Sequence, residues 1–155
     1  MLDGVVNLLI NKNKTISILD SLTAGLLSSE LTNCEGVEKI FLFSAVPYNK
    51  EYKIKFGVRE TTINEFTENS VEVSKEMARC VSAYTNSDFG IGITGNLSRK
   101  QVKDPMPGED TAFIAIYKKE TNQVYVTKLR IENATYKEKK NDVITFVRDT
   151  LMQII

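Results

Sequence analysis

The hydrophobic positions of the chain alternate between helical spacing and short apolar runs, which is the pattern of an α/β protein. The first segment carries apolar residues three and four positions apart, as on one face of a helix: Leu2, Val5, Val6 and Leu9. Residues 15–20 are rich in β-branched side chains and predict a buried strand. A second helix is predicted from Thr23 to 32–33, followed by a second strand at 39–47. Pro47 cannot donate to a sheet, so this strand should end there or lie at an edge.

The rest of the pattern predicts three helices, a third strand, a hairpin of two further strands and a closing helix. Their predicted positions are 49–56, 61–68, 70–84, 89–94, 111–117, 124–131 and from about 136 onwards. Asn49 and Ser70 should cap the helices that follow them. Gly90 and Gly92 indicate that another backbone approaches the third strand closely.

Helices alternating with strands predict a three-layer α/β sandwich. Right-handed crossovers should connect the first strand to the second and the second to the third. If the third strand lies on the far side of the first, in the order 2-1-3, a crevice opens between their carboxyl ends. Asp20, Ser21, Thr94 and Gly95 would then face each other across that crevice.

The polar stretch 20–25 lies where the first strand gives way to a helix, which places its hydroxyls and N–H groups at the sheet edge. Polar residues there are most often helix caps, so the local pattern leaves Ser21 as either a cap or a nucleophile. A serine nucleophile needs a base, and because the chain has no histidine, lysine is the usual substitute. Lys50 and Lys53 follow the second strand, although helical lysines are usually solvated. Tyr48 is positioned to orient the lysine or donate a proton.

Composition narrows the function classes. The 155 residues are 42% hydrophobic, and 20 basic residues balance 20 acidic ones, so neither nucleic acid nor a membrane surface is an expected partner. Two isolated cysteines make neither a disulfide framework nor a metal site, and no cofactor is expected. We see no secretory signal and no membrane-spanning run, and expect a cytoplasmic protein. The long polar segment 95–108, with Arg99, Lys100 and Lys103, is typical of a functional loop.

Five segments resemble, in order and spacing, the motifs of the CinA C-terminal domain family. Residues 20–27 (DSLTAGLL) are similar to its ESCTGGLL, residues 46–53 (VPYNKEYK) to VTYSNEAK, and residues 56–58 to LGV. Residues 70–78 (SVEVSKEMA) are similar to VSEEVAREMA, and residues 93–95 to the start of TGIAGP. The resemblance extends over residues 1–155 as one domain.

The resemblance implies a three-layer α/β/α sandwich with a five-stranded mixed sheet, for which we predict the order 2-1-3-4-5 with strand 4 antiparallel. Family members deamidate nicotinamide mononucleotide to nicotinate mononucleotide and ammonia with a serine–lysine pair and no metal. The matching residues are Ser21 and Lys53, with Tyr48 as the motif tyrosine. Residues expected to bind this small nucleotide substrate are Thr23, Gly25, Thr94, Gly95 and Arg99. A homodimer is a further expectation from the family.

The chain also departs from the family pattern. Asp20, Leu22 and Ala24 replace glutamate, cysteine and the first glycine of ESCTGGLL. The glycine-rich IAGPGG becomes NLSRKQ at 96–101, and lysines replace the basic residues near the C-terminus: Lys137, Lys139 and Lys140.

The first hypothesis is therefore a hydrolase of a linear amide. Ser21 attacks the carboxamide, neutral Lys53 takes its proton, and backbone N–H groups near Leu22 and Thr23, or near Gly95, hold the oxyanion. The altered loop leaves two alternatives. One is a ligand-binding or protein-interaction module with attenuated turnover, and the other is a serine–lysine enzyme acting on a different amide.

Overall fold

The computed structural model describes residues 1–99, 109–132 and 135–155. Six α-helices occur in these ranges: α1 (Asp3–Asn11), α2 (Leu26–Thr32), α3 (Lys50–Phe56), α4 (Glu60–Phe66), α5 (Val71–Thr85) and α6 (Tyr136–Ile154). The strands are β1 (Ile16–Asp20), β2 (Phe41–Ala45), β3 (Phe89–Asn96), β4 (Thr111–Lys118) and β5 (Gln123–Arg130). Short 3-10 turns at Val37–Lys39 and Lys119–Thr121 precede β2 and β5.

The five strands form one mixed sheet in the order β2-β1-β3-β4-β5. β1 is parallel to both β2 and β3, whereas β4 is antiparallel to β3 and β5. This confirms the predicted order and the antiparallel fourth strand. β2 lies at the edge and ends at Ala45, as Pro47 predicts.

Helices cover both faces of the sheet because β1 sends alternate side chains into two cores. Ile16 and Ile18 pack with apolar residues of α1, α2 and α6, while Leu19 packs with those of α4 and α5. The three-layer sandwich predicted from the alternation of elements is confirmed. Among the described residues, no helix combines the length and apolarity needed to cross a membrane.

The close approach predicted at the third strand is between β3 and α5. A Cβ atom added to Gly92 would lie 2.2 Å from the carbonyl oxygen of Ser74, and one added to Gly90 would lie 2.1 Å from that of Ala78. Any larger residue would push α5 off the sheet. The glycines therefore set the depth at which α5 sits, and with it the place of the turn that precedes α5.

Both predicted N-caps are present. The Asn49 side chain accepts a hydrogen bond from the Glu51 backbone at 3.0 Å, and Ser70 Oγ accepts one from the Val73 backbone at 3.2 Å. Because α5 runs antiparallel to the strands it crosses, its capped N-terminus lies at the carboxyl edge of β1 and β3. The turn 67–70 therefore lies at the crevice between the carboxyl ends of β1 and β3.

The predicted start of the second helix was wrong. α2 begins at Leu26 rather than Thr23, because the Asp20 carboxylate accepts a 2.9 Å hydrogen bond from the Thr23 backbone and also bonds the Thr23 hydroxyl. These contacts hold 20–25 in a tight turn. Ala24 and Gly25 complete it with φ of 55° and 90°.

Candidate active site

Ser21 lies where the carboxyl ends of β1 and β3 meet. Its backbone donates to the Ile93 carbonyl at 3.1 Å, which extends the parallel pairing of β1 and β3 by one residue. The side chain is buried, and Oγ donates to the Ile93 carbonyl at 3.3 Å and to Thr94 Oγ1 at 3.4 Å. Both contacts are long for O–H donors, so the hydroxyl is only loosely engaged.

Ser21 does not cap a helix, and that alternative was wrong. α2 begins five residues later, with Gly25 as its N-cap, and the backbone N–H of Thr23 is satisfied by Asp20. Burial raises the pKa of the Asp20 carboxyl, although hydrogen bonds from Thr23, Gly25 and Leu22 oppose the effect. Asp20 thus organises the turn, and the Ser21 hydroxyl plays no capping role.

Lys53 is almost completely buried, with 2% of its surface exposed, whereas Lys50 on the same helix is exposed. Its amine donates to the Pro47 carbonyl at 3.0 Å and to the Tyr48 carbonyl at 3.2 Å. Burial lowers the pKa of Lys53, and the charge of Glu68 partly opposes this shift. The lysine expected from its type to be solvated is therefore sequestered beneath the carboxyl edge of the sheet.

Ser21 and Lys53 line one cavity of about 240 Å³. Its remaining walls come from polar residues and one glycine: Tyr48, Glu68, Asn69, Gly95 and Asn96. The Lys53 amine and the Ser21 hydroxyl share this cavity but form no hydrogen bond with each other. Catalytic hydrogen bonds are often loose without substrate, so the arrangement is compatible with a serine–lysine pair that closes on binding.

Thr94 supports the cavity from behind. Its hydroxyl is fully buried and donates to Asn69 Oδ1 at 2.7 Å, with a longer contact to the Glu68 carbonyl at 3.3 Å. Since the Thr94 proton points toward Asn69, its oxygen remains an acceptor for Ser21. Gly95 belongs to the wall itself, where a side chain would collide with the Thr111 carbonyl of β4.

The other predicted binding residues lie around two neighbouring cavities. A small one of about 50 Å³ brings Arg99 and Tyr136 to Ser21, with the Arg99 guanidinium 5.2 Å from the centre of the Tyr136 ring. A third of about 590 Å³ contains Thr23 and Gly25. Its opposite wall is the first turn of α6, with Tyr136, Lys137 and Lys140. Tyr136 is common to both, so a polar ligand could run from Ser21 past Arg99 toward the lysines.

Lys100 and Lys103 lie outside the described residues. Lys139, one of the three lysines that replace the family's basic residues near the C-terminus, is buried, and its amine lies 2.9 Å from the Asp110 carboxylate. The expectation that the Thr23 backbone holds an oxyanion was also wrong, because Asp20 already accepts its hydrogen.

Four residues of this region were missed: Glu68, Asn69, Asn96 and Tyr136. A signal for the first two existed, because a helix that leads into a parallel strand runs antiparallel to it, which puts the residues before Ser70 at the carboxyl edge of the sheet. Asn96 was assigned to a loop, whereas β3 extends through it and pairs it with Thr111. In the described parts of the chain, no three of the cysteines and acidic residues are grouped as a metal site would require.

Comparisons with known proteins agree on one family. The putative competence-damage inducible protein of Clostridium kluyveri is 43% identical over 89 residues, which are 57% of this chain and 22% of that protein. The one of Thermoanaerobacter sp. is 31% identical over 148 residues, 92% of this chain and 34% of that protein. This chain thus spans between a fifth and a third of the length of these curated relatives.

Solved structures show the same fold. A CinA superfamily protein of Klebsiella pneumoniae matches with a TM-score of 0.89 at 18% identity, covering 98% of this chain and 93% of that one. One from Escherichia coli matches with a TM-score of 0.87 at 21% identity, covering 100% and 91%. The CinA C-terminal domain family matches residues 1–154. The chain belongs to the CinA C-terminal domain family.

Proposed function

We propose that this domain is an amidohydrolase that removes the amide nitrogen of nicotinamide mononucleotide through Ser21 and Lys53. The observation that carries the proposal is the burial of the Lys53 amine in the wall of the cavity that also contains Ser21. Burying an amine is unfavourable while it is charged, and the hydrogen bonds of Lys53 go to two carbonyls rather than to a carboxylate such as the one that pairs with the buried Lys139. A base that reacts in its neutral form explains it, since burial lowers the pKa of this amine.

The contacts of Lys53 suit a base. A neutral amine has two hydrogens and one lone pair, and the carbonyls of Pro47 and Tyr48 take both hydrogens. The remaining tetrahedral position of the nitrogen is then the lone pair, which is free to accept the proton of a serine in the cavity. The same two carbonyls hold the ammonium that forms when the proton arrives.

The reaction follows in two steps. Ser21 Oγ attacks the carboxamide carbon as its proton moves to Lys53, and the tetrahedral intermediate collapses when Lys53 returns that proton to the departing ammonia. Water then attacks the acyl–Ser21 ester with Lys53 again as base, which releases the carboxylate and restores the serine. Asn96 and Tyr48 line the cavity, and we assign their amide and hydroxyl as donors for the oxyanion.

The remaining substrate would extend out of this cavity. At about 240 Å³ the cavity is smaller than typical sites for drug-sized ligands, and its size suits the ring of the substrate with the carboxamide attached to it. The adjoining space beside Arg99 and Tyr136 leads toward Lys137 and Lys140, whose charges suit a phosphate.

Ammonia release from nicotinamide mononucleotide tests the proposal. Ser21→Ala and Lys53→Met should each lower kcat by at least about a thousandfold, because each removes a member of a unit that acts together. Lys50→Met, an exposed lysine on the same helix, is the matched control and should retain activity. Turnover that survives both Ser21→Ala and Lys53→Met would overturn the assigned roles.

A second candidate is a nucleotide-binding module without turnover, which the absence of a Ser21–Lys53 hydrogen bond favours. It predicts that the nucleotide stabilises the protein, by about 2.7 kcal/mol at a hundred times its dissociation constant, while no ammonia appears. Stabilisation by the nucleotide and release of ammonia can both be measured on the same protein sample. The homodimer expected from the family stays a prediction, which the molecular mass in solution checks.

A further inference from the structure

The cavity of Ser21 and Lys53 contains a carboxylate that the proposed reaction does not use. Glu68 is partly buried and lines this cavity. Within the described residues, its side chain makes no hydrogen bond and no ion pair. A carboxylate that is partly removed from water gains from a positively charged partner, which is Lys53 while its amine is charged and a ligand once that amine is neutral.

The backbone that carries Glu68 is held firmly at the cavity. The Thr94 hydroxyl, itself buried in β3, donates to the Glu68 carbonyl at 3.3 Å and to Asn69 Oδ1 at 2.7 Å. On the other side, Ser70 Oγ donates to the Thr67 carbonyl at 3.2 Å and caps α5. The turn 67–70 is thus fixed to the same strand that supports Ser21, and Glu68 stays near the reacting centre.

Lys53 and Glu68 are the two charged residues among those that line the cavity in the described part of the chain. Attack by Ser21 requires Lys53 to be neutral when the substrate binds. In that state the cavity carries the single negative charge of Glu68. An electrostatic preference for a cationic group follows, since like charges would be repelled and a neutral group would leave the carboxylate unpaired.

We propose that Glu68 is a specificity-determining residue that makes the cavity prefer a carboxamide on a positively charged ring, an N-substituted pyridinium, over the same carboxamide on a neutral dihydropyridine ring. The inference rests on the proposed function, from which it takes the substrate. Oxidised and reduced nicotinamide mononucleotide share the amide, the ribose and the phosphate. They differ in the charge of the ring, with which the Glu68 carboxylate would interact.

Binding to an inactive protein tests this without turnover. In the Ser21→Ala background, calorimetry gives the dissociation constants of the oxidised and reduced mononucleotides. Adding Glu68→Gln should lower the preference for the oxidised form about tenfold, the size expected for an ion pair partly open to solvent. Glu68→Asp should keep most of the preference, and Glu65→Gln, an exposed carboxylate on α4, should leave it unchanged.

The ratio of the two constants cancels the contributions of the shared amide, ribose and phosphate and leaves the effect of the ring charge. A preference that changes less than twofold in Glu68→Gln, or failure of both nucleotides to bind, would overturn the inference. Ammonia release by the wild type reports separately on the proposed function. If the preference depends on Glu68 but no ammonia is released, the specificity role of Glu68 stands and the proposed reaction is wrong. If ammonia is released but the preference does not depend on Glu68, the reaction stands and the specificity role is wrong.

Discussion

Lys139→Met tests the buried ion pair that joins α6 to the start of β4. Lys139 Nζ lies 2.9 Å from Asp110 Oδ1, and the two side chains are 1% and 6% exposed. The amine also donates to the carbonyl and the hydroxyl of Ser98, each at 3.0 Å. The Asp110 carboxylate accepts from the backbone and the hydroxyl of Ser98 at 2.9 and 2.8 Å. Methionine is similar in length to lysine and removes only the charged, hydrogen-bonding end.

Removing one partner of a buried pair typically costs about 3–5 kcal/mol, because the other charge remains buried without compensation. Ser98 continues to serve the carboxylate in Lys139→Met, so we expect the lower end, about 3 kcal/mol. Asp110→Asn leaves the ammonium without its countercharge and should cost a similar amount. The amide still offers an oxygen to the Ser98 backbone and an N–H to its hydroxyl. The double variant therefore buries no charge and should lie within about 1 kcal/mol of the wild type.

Urea unfolding of the four proteins gives these free energies and the coupling between the two positions. Lys137→Met, an exposed lysine on the same helical turn, is the control and should change stability by less than about 0.5 kcal/mol. A loss below about 1 kcal/mol for Lys139→Met would refute the reasoning. So would a double variant as unstable as the sum of the two single ones, since it would show that the charges are not coupled.

The pair also predicts the acid limit of stability. Burial raises the pKa of the Asp110 carboxyl, but hydrogen bonds from Lys139 and Ser98 and the charge of Lys139 outweigh it, so the pKa lies below its ordinary value. A carboxyl group whose pKa is lowered on folding stabilises the folded state at pH values above its pKa in the unfolded chain, about 3.9. This stabilisation is lost as the pH falls through the pKa of the group in the folded state. The wild type should therefore lose stability in that range more steeply than Asp110→Asn/Lys139→Met.

Two further predictions concern the site. Burial lowers the pKa of Lys53 and the reaction needs its neutral form, so kcat/KM should rise with pH at a midpoint below 10.5. Glu68→Gln should move that midpoint lower still, because the charge of Glu68 raises the pKa of Lys53. A midpoint at or above 10.5 would contradict Lys53 as the base. Ala24 has a φ of 55°, at which a residue with a Cβ atom is strained. Ala24→Gly should therefore raise the free energy of unfolding, measured by urea titration, by up to about 1 kcal/mol. A decrease would show that the turn is not strained at this residue.

Most of the framework was predictable because it depends on periodicity and on chain-direction rules. Right-handed crossovers are compatible with the order 2-1-3, the family resemblance implied the five-stranded mixed sheet, and the caps at Asn49 and Ser70 follow from residue preference. The start of α2 was not predictable from helical spacing alone. Its apolar residues keep the right period from Thr23, but Asp20 competes for the Thr23 backbone and delays the helix by three residues.

The environment of the lysines was the least predictable part of the site. Lys53 is buried because the chain turns at Pro47 and offers two carbonyls to an amine six residues later, and a pattern of residue types does not encode that geometry. Lys139 stands in a run of charged residues that favours a solvated face. Its partner Asp110 is distant in sequence and reaches it only through the fold.

The replacement of the family's glycine-rich loop matters less for the reacting centre than the sequence indicates. The cavity wall opposite Ser21 is formed by Gly95 and Asn96, and both belong to β3, where they pair with Ala112 and Thr111 of β4. The wall is therefore set by the sheet, and of its two residues only Asn96 differs from the family pattern. Since Gly95 is kept and Asn96 stays within the strand, we expect the change of loop to alter how the outer part of the substrate binds, and so KM, more than the step at Ser21.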